Sequence, residues 1–448
     1  MTSNARNIGD FESLRNTLGK TIDQFPDKRT GANTQYSMQD IGMAAFSVFF
    51  TQSPSFLAHQ QSMVDRKGLS NARTVFGMGK IPTDNHIRAV LDPVSPEHLT
   101  PVFDHLDQAL LGRDELTDFI GINGTRLIAL DGTWYFSSDN IDCAQCSSIE
   151  HANGAITHYH SAVTPVIVAP GHKVAIPLPP EFIRPQDGKK KQDCEITASK
   201  RWIEQYKDRP YCQNATILGD DMYSRTPFCK QLLDSGLHFL LVCKPDSHKG
   251  LTDWINGLEF GKDLAHKVIN RWTGKSRETW TYRFANYVPL TDLEDPLRVN
   301  WCELTITNEK GIVLYRNAFI TDHILTDENI EIVVESGRAR WKIENENNNT
   351  LKTKGYHLEH NFGHGKKHLS SLLAAMNILA FLFHTFLEFS DGKYKDLRRK
   401  LGARKRFFEH IRALTCYICF RNWDRMLDFM IESYDNPIDS EDLSKYSA

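Results

Sequence analysis

The sequence predicts an α/β protein with a mixed sheet flanked by helices. Two observations carry the prediction. After about residue 120, apolar runs of strand length recur, and the later ones alternate with amphipathic helical segments. The first three runs follow one another with no helix between them, so a meander precedes the crossover units and the sheet has both antiparallel and parallel neighbours.

The bulk composition sets the frame. A chain of 448 residues has room for two or three domains. A hydrophobic share of 40% and a charged share of 24% are those of an ordinary globular protein. A formal net charge of −3 argues against a uniformly basic polyanion binder. No apolar run reaches the roughly 18 residues of a membrane span. The opening "MTSNARNIGDFESLRN" lacks the regions of a secretory signal. Nine cysteines, an odd number on a long chain, point to a reducing compartment. The expectation is a cytoplasmic protein with no membrane partner.

Residues 1–120 read as helical. Residues 1–30 are polar. "SMQDIGMAAFSVFF" (37–50) has helical periodicity with Ser37 as N-cap, "SPSFLAHQQSM" (53–63) opens on Ser53-Pro54, and a third helix begins at Thr83. Short helices with tight joins suit a helix-turn-helix DNA reader or a plain bundle, and both readings stand.

Residues 121–260 hold the first part of the α/β core. "TRLIALDGTWYF" (125–136) is an apolar strand ending on Asp131, and 155–178 reads as two β-rich runs around Pro170-Gly171. A basic join, "RPQDGKKKQDCE", leads to a helix from Asp193 to Tyr206. The run "TILGDD" ends at Asp220, Pro227 opens a helix to about Ser235, and "LHFLLVCK" (237–244) is a buried strand. Residues 261–325 alternate as strands at 280–290, 299–307 and 311–321, an antiparallel insertion. Helical signals return at Thr326-Asp327-Glu328 and run to about Lys352. With the apolar helix 366–389, whose His and Lys favour core burial over a membrane span, they complete the core over 326–390. Residues 391–448 form a helical tail, basic and then acidic.

Two strands thus deliver a carboxylate at a C-terminal tip, Asp131 and Asp220. In open sheets such tips line the ligand crevice. Carboxylates that converge repel one another unless a cation lies between them, and hard oxygen ligands suit Mg²⁺ or Mn²⁺. Two such ions clamp the attacking and leaving oxygens of a phosphoryl displacement. Glu344 in "RWKIENE" is the candidate third acid, from a helix beside the sheet. Taken singly, an aspartate at a strand end is a turn or helix cap, and Asp221 reads as a cap for the following helix.

The order of elements is that of ribonuclease H-like folds. With "ALDGT" (129–133), "LGDDMY" (218–223) and "RWKIEN" (340–345) in that order and a β region before the last, the chain resembles the DDE transposases of bacterial insertion sequences. The likeness lies with the insertion-sequence-four-like group and covers roughly residues 120–390. The pattern of Asp, two residues, then Tyr selects Asp220 over Asp221. The resemblance implies metal-dependent DNA cleavage and strand transfer. Asp131, Asp220 and Glu344 would hold two Mg²⁺ or Mn²⁺ ions. Arg340 would contact a phosphate, or else pair with Glu344 on the surface. Lys352 and Lys244 are further DNA-contact candidates. The partners implied are double-stranded DNA, as transposon ends and target, and a second copy of the chain in the DNA complex. The helices of 1–120 would bind the ends, and the location would be the nucleoid. Two departures are visible. Gly337 stands where the group often has Tyr, and Lys352 follows Glu344 by eight residues instead of seven, roughly 80° round an ideal helix instead of about 20°. The rival readings are a non-catalytic DNA-binding descendant of a transposase and a metal-dependent phosphoesterase for small substrates.

"CAQC" (143–146), followed by His151, His158 and His160, is a candidate zinc site at Cys143 and Cys146, or reduced thiols in a loop. Strand alternation puts His158 and His160 on one face. "CYIC" (416–419) reads as buried thiols on an amphipathic helix. "HNFGHGKKH" (360–368) reads as a DNA contact or as a solvated turn. Residues 391–412 carry nine Lys or Arg against three acids, Lys189–Lys191 form a second basic spot, and residues 421–448 carry seven acids against three bases. Such runs suit DNA backbones, or a solvated face.

Overall fold

The computed structural model describes residues 11–63, 70–113, 116, 117, 119–185 and 193–436. The Lys189–Lys191 spot and the last part of the acidic tail lie outside them. The protein is mixed α/β, as its pattern of apolar runs requires.

Its strands are β1 (Arg126–Ala129), β2 (Gly132–Ser138), β3 (Ser147–Glu150), β4 (Ile156–Val163), β5 (Val166–Val168), β6 (Ile176–Pro177), β7 (Glu181–Ile183), β8 (Ala215–Gly219), β9 (His238–Val242), β10 (Ala265–Trp272), β11 (Arg277–Pro289), β12 (Arg298–Asn308) and β13 (Val313–Thr321). The main sheet runs β10-β11-β12-β13-β9-β8-β1-β5-β6. β8 lies parallel to β1 on one side and to β9 on the other, while β5 is antiparallel to β1. A smaller sheet is ordered β2-β4-β3, with β7 also on β4.

The two sheets share one hairpin. β1 and β2 are successive stretches of one arm, and β5 and β4 are the matching stretches of the other. The arm creases at Leu130-Asp131, where Leu130 N–H still donates to Leu218 O at 2.9 Å and Thr164 N–H donates to Asp131 O at 3.0 Å. Asp131 therefore sits where one sheet turns into the other.

The central strands are buried on both faces, which is why they read as continuous apolar runs. Side chains alternate with period two. Leu127, Ala129, Leu218 and Leu240 face the helix Ile330–Arg338, while Ile128, Leu130, Ile217 and Leu241 face the other helical layer. That layer is built from both ends of the chain around Leu369–Ser390, whose residues 371–387 are all buried. Contrary to the sequence reading that no apolar run reaches the length of a membrane span, this helix is long and apolar enough to cross a membrane, but neighbouring elements bury nearly all of it. Phe46 packs at a tilt against Phe383 and Phe11 against Trp423, and the Asn71 amide donates to Thr415 O and Ile418 O.

Several local expectations have visible physical outcomes. Ser37 Oγ accepts from Asp40 N–H at 2.9 Å, capping the helix Met38–Phe50. The next helix is capped by Ser55, not opened at Ser53, because Ser53 is engaged with Thr51 and His59. The antiparallel strands 277–321 are not separate from the core sheet: β13 pairs with β9 and extends it. β10, unforeseen, is an edge strand whose side chains alternate between half-buried and exposed. The helix Arg404–Tyr417 stops short of Cys419, and Cys416 and Cys419 are half-buried, not the buried thiols of one helix that the sequence suggested.

Candidate active site at the crease

Parallel pairing of β1 and β8 brings their C-terminal tips side by side. Ala129 is in register with Leu218, so Asp131 and Asp220 emerge from the same edge of the sheet. Asp220 follows Gly219, where a Cβ would lie 2.8 Å from the Tyr223 ring, so glycine is needed for the tight turn. Asp220 Oδ1 accepts from Met222 N–H at 2.8 Å, an Asx turn that fixes its carboxylate.

Asp221 turns the other way. Its Oδ1 accepts from Lys244 N–H at 2.6 Å, its Oδ2 from Ser247 Oγ at 2.5 Å, and His248 Nε2 lies 3.7 Å away. It does not cap the helix after it, as the sequence suggested; it holds the turn after β9. Lys244 is exposed beside that turn, its backbone bound to Asp221.

Glu344 comes from the helical stretch after β13. Arg340 Nη2 donates to Glu344 at 3.2 Å. The pair is not a surface one at its arginine end: Arg340 is 7% exposed while Glu344 is half-buried, and Arg340 Nε and Nη1 have no hydrogen-bond partner among the described residues. Gly337, one turn earlier, packs where a Cβ would lie 2.7 Å from Phe319, so the close approach to β13 excludes a larger residue there. Lys342 ties the stretch to the β5–β6 turn through Ala169 O and His172 O.

From Ile343 to Asn348 the helix is of π type, which takes one extra residue per turn. That residue offsets the extra position between Glu344 and Lys352, bringing Lys352 round toward the phase that a spacing of seven gives on an α-helix. Lys352 pairs with Glu359 at 2.9 Å.

Two groups at the crease had no sequence signal of their own. Glu195 opens the helix Glu195–Tyr206, and its carboxylate lies against the backbone of Gly132. A Cβ on Gly132 would lie 2.7 Å from Glu195 Cδ and would overlap the carboxylate. Tyr223, fully buried, donates its hydroxyl to Glu195 Oε1 at 2.6 Å and lies 3.0 Å from Ser199 Oγ. The Tyr of the Asp-x-x-Tyr pattern therefore fixes a fourth acid. Asn348, from the run Asn347-Asn348-Asn349, donates to Asp131 Oδ2 at 3.3 Å and accepts from Thr164 at 2.9 Å.

The four carboxylates act on one another. Burial, then the charges of Glu195, Glu344 and Asp220, push Asp131 up to about 7 against the opposing pull of Arg340. Burial and Asp220 likewise raise Glu195, opposed by the Tyr223 hydroxyl and Gly132 N–H. Asp131 is thus the centre of the set. The acids stay wider than the grip of a single ion: among the described residues, the groups of three or more acidic, His or Cys ligands within 4.8 Å lie elsewhere. Four half-buried acids at one sheet edge fit hard divalent cations by donor type.

The basic run 391–412 is largely engaged. Lys393 pairs with Asp424 and Asp428, Lys400 with Asp435, and Arg404 with Glu388. The acidic helix Trp423–Asp435 supplies most of those partners. In the 360–368 stretch, Asp92 Oδ1 accepts from Lys366 and Lys367 N–H, and Gly365, at φ +69, leaves room for that carboxylate.

A scan of protein-family models and a search of curated proteins find no match to this chain.

Proposed function

We propose that the protein is a DDE transposase that cuts and joins DNA with divalent cations held at the crease. The supporting observation is the mutual electrostatics of Asp131, Asp220, Glu344 and Glu195. A set of acids in which burial, and then mutual repulsion, lifts the central member to about 7 calls for positive charge between them. Mg²⁺ or Mn²⁺ bound there would polarise a phosphodiester and lower the pKa of a bound water or 3′-hydroxyl.

Each residue then has a task that follows from its contacts. Asp131 is the shared acid, oriented by the Asn348 amide. Asp220 and Glu344 flank it from β8 and from the π-helical stretch. Arg340 balances Glu344 and opposes the rise of Asp131; its Nε and Nη1 are buried without a hydrogen-bond partner among the described residues, and a phosphate would meet them only once bound DNA opens that pocket. Tyr223 and Gly132 N–H hold Glu195 in place. Lys244 and Lys352 are the candidates for contacts to the DNA backbone. In this reading the region 1–120 binds the ends, and two copies act together on DNA.

The test is strand cleavage. The purified chain is incubated with Mg²⁺ and a plasmid carrying its own coding gene and both flanks. The reading predicts metal-dependent breaks with 3′-hydroxyls at the flanks, lost in Asp131→Asn and Glu344→Gln. Tight DNA binding without breaks would point to a non-catalytic binder. Hydrolysis of small phosphodiesters with no DNA complex would point to a phosphoesterase.

A further inference from the structure

We propose that Cys143, Cys146, His160 and His364 together hold one structural zinc ion. The site is independent of the transposase reading. Its fourth ligand comes from a segment that no local spacing connects to the cysteine pair.

The geometry is that of a closed tetrahedral centre. Zinc–sulfur bonds of about 2.3 Å and zinc–nitrogen bonds of about 2.0 Å separate sulfur from sulfur by about 3.8 Å and sulfur from nitrogen by about 3.5 Å. In the protein the two Sγ atoms are 3.9 Å apart. His160 Nε2 lies 3.6 Å from Cys143 Sγ and 3.5 Å from Cys146 Sγ, and His364 Nε2 lies 3.5 Å from Cys146 Sγ. All four donor atoms fall within 4.8 Å of one another. The sulfurs are too far apart for a disulfide. Two thiols and two imidazoles converging on one point are the donor set that selects zinc among common ions.

The local chain is shaped for the purpose. Cys146 N–H donates to Cys143 O at 3.0 Å, closing the CxxC turn, and Gln145 N–H donates to Cys143 Sγ at 3.3 Å. An N–H aimed at a sulfur offsets thiolate charge. His160 stands on β4 opposite Phe136, 4% exposed, and Phe136 packs against both imidazoles. His158 and His151, the other histidines near the pair in sequence, lie outside the group, with His151 bound to Thr157. The other such group, His238, Asp322 and His323, spends its atoms on Phe239 N–H, Thr216 and Asn123 and is accounted for by those bonds.

His364 lies in the stretch that links the Glu344 helix to Leu369–Ser390. Zinc would cross-link that stretch to the β2–β3 turn over 218 residues of chain, which removes loop entropy from the unfolded state. It would fix the exit of the Glu344 segment relative to the arm that carries Asp131.

The experiment is elemental analysis of the full-length chain, purified and supplemented with zinc, with thermal unfolding in parallel. The expected result is about one zinc per chain, lost in Cys146→Ser and in His364→Ala and kept in His151→Ala and His158→Ala. Should Cys146→Ser fail to fold, chelator removal from the native chain decides. Stripping zinc is expected to lower the unfolding temperature, and restoring it to reverse the loss. A native chain that takes up no zinc, or a folded His364→Ala that keeps a full equivalent while His158→Ala loses it, would overturn the proposal.

Discussion

Replacing Asp131 with asparagine should make the protein more stable while abolishing its chemistry. In the folded chain, burial and three neighbouring acids raise Asp131 from 3.8 to about 7. At about 1.4 kcal/mol per pH unit, that difference amounts to about 4 kcal/mol. The sign follows from proton binding. Between the two values the folded state holds a proton that the unfolded state has lost, so stability falls as pH rises from about 4 to about 7 and the penalty is complete above it. Asparagine never ionises, so it carries none of that cost and keeps a polar partner for Asn348. Urea unfolding without Mg²⁺ or Mn²⁺ should show Asp131→Asn about 4 kcal/mol more stable than the native chain near pH 8, and under about 2 kcal/mol more stable near pH 5. Adding Mg²⁺ should close the gap by stabilising only the native chain. A variant no more stable than the parent at pH 8, or a gain indifferent to pH, would refute the argument that the acids repel one another across the crease.

Other substitutions separate the roles. Asp220→Asn should eliminate strand cleavage with little loss of stability, whereas Asp221→Asn should cost about 1–3 kcal/mol by loosening the 244–248 turn and still cut; paired unfolding and cleavage assays check both. Tyr223→Phe removes the hydroxyl on Glu195 and should slow cleavage about ten- to a hundredfold at unchanged DNA affinity, since a hydrogen bond to a charged group is worth about 1.5–3 kcal/mol. Gly132→Ala should displace the Glu195 carboxylate and reduce the single-turnover cleavage rate about a hundredfold, more than any stability loss accounts for.

Much of this site was legible because its acids end strands that read clearly as buried. Leu127–Leu130 and Ile217–Leu218 are apolar on both faces, so each run announces a central strand, and the charge that follows marks the crevice edge. Glu195 was not legible. An acid in the first turn of a helix is an ordinary response to the helix dipole, and nothing local says that it faces Gly132. The one usable signal was the glycine directly after Asp131, which leaves space for another side chain. Asn348 was hidden in a polar stretch, and the π turn that phases Lys352 has no composition of its own. His364 could not be joined to Cys143 and Cys146 from spacing, because the link is made by packing between distant segments. β10 was missed because "AHKVINRW" is half polar, as an edge strand is.

The most direct test is diffraction from the protein with bound DNA and Mn²⁺, using the anomalous signal of manganese. The account predicts two manganese peaks at the crease, roughly 3.5–4 Å apart, with Asp131 contacting both and Asp220 and Glu344 on opposite sides. Manganese bound away from residues 131, 220 and 344, or a crease that stays metal-free with DNA in place, would contradict it.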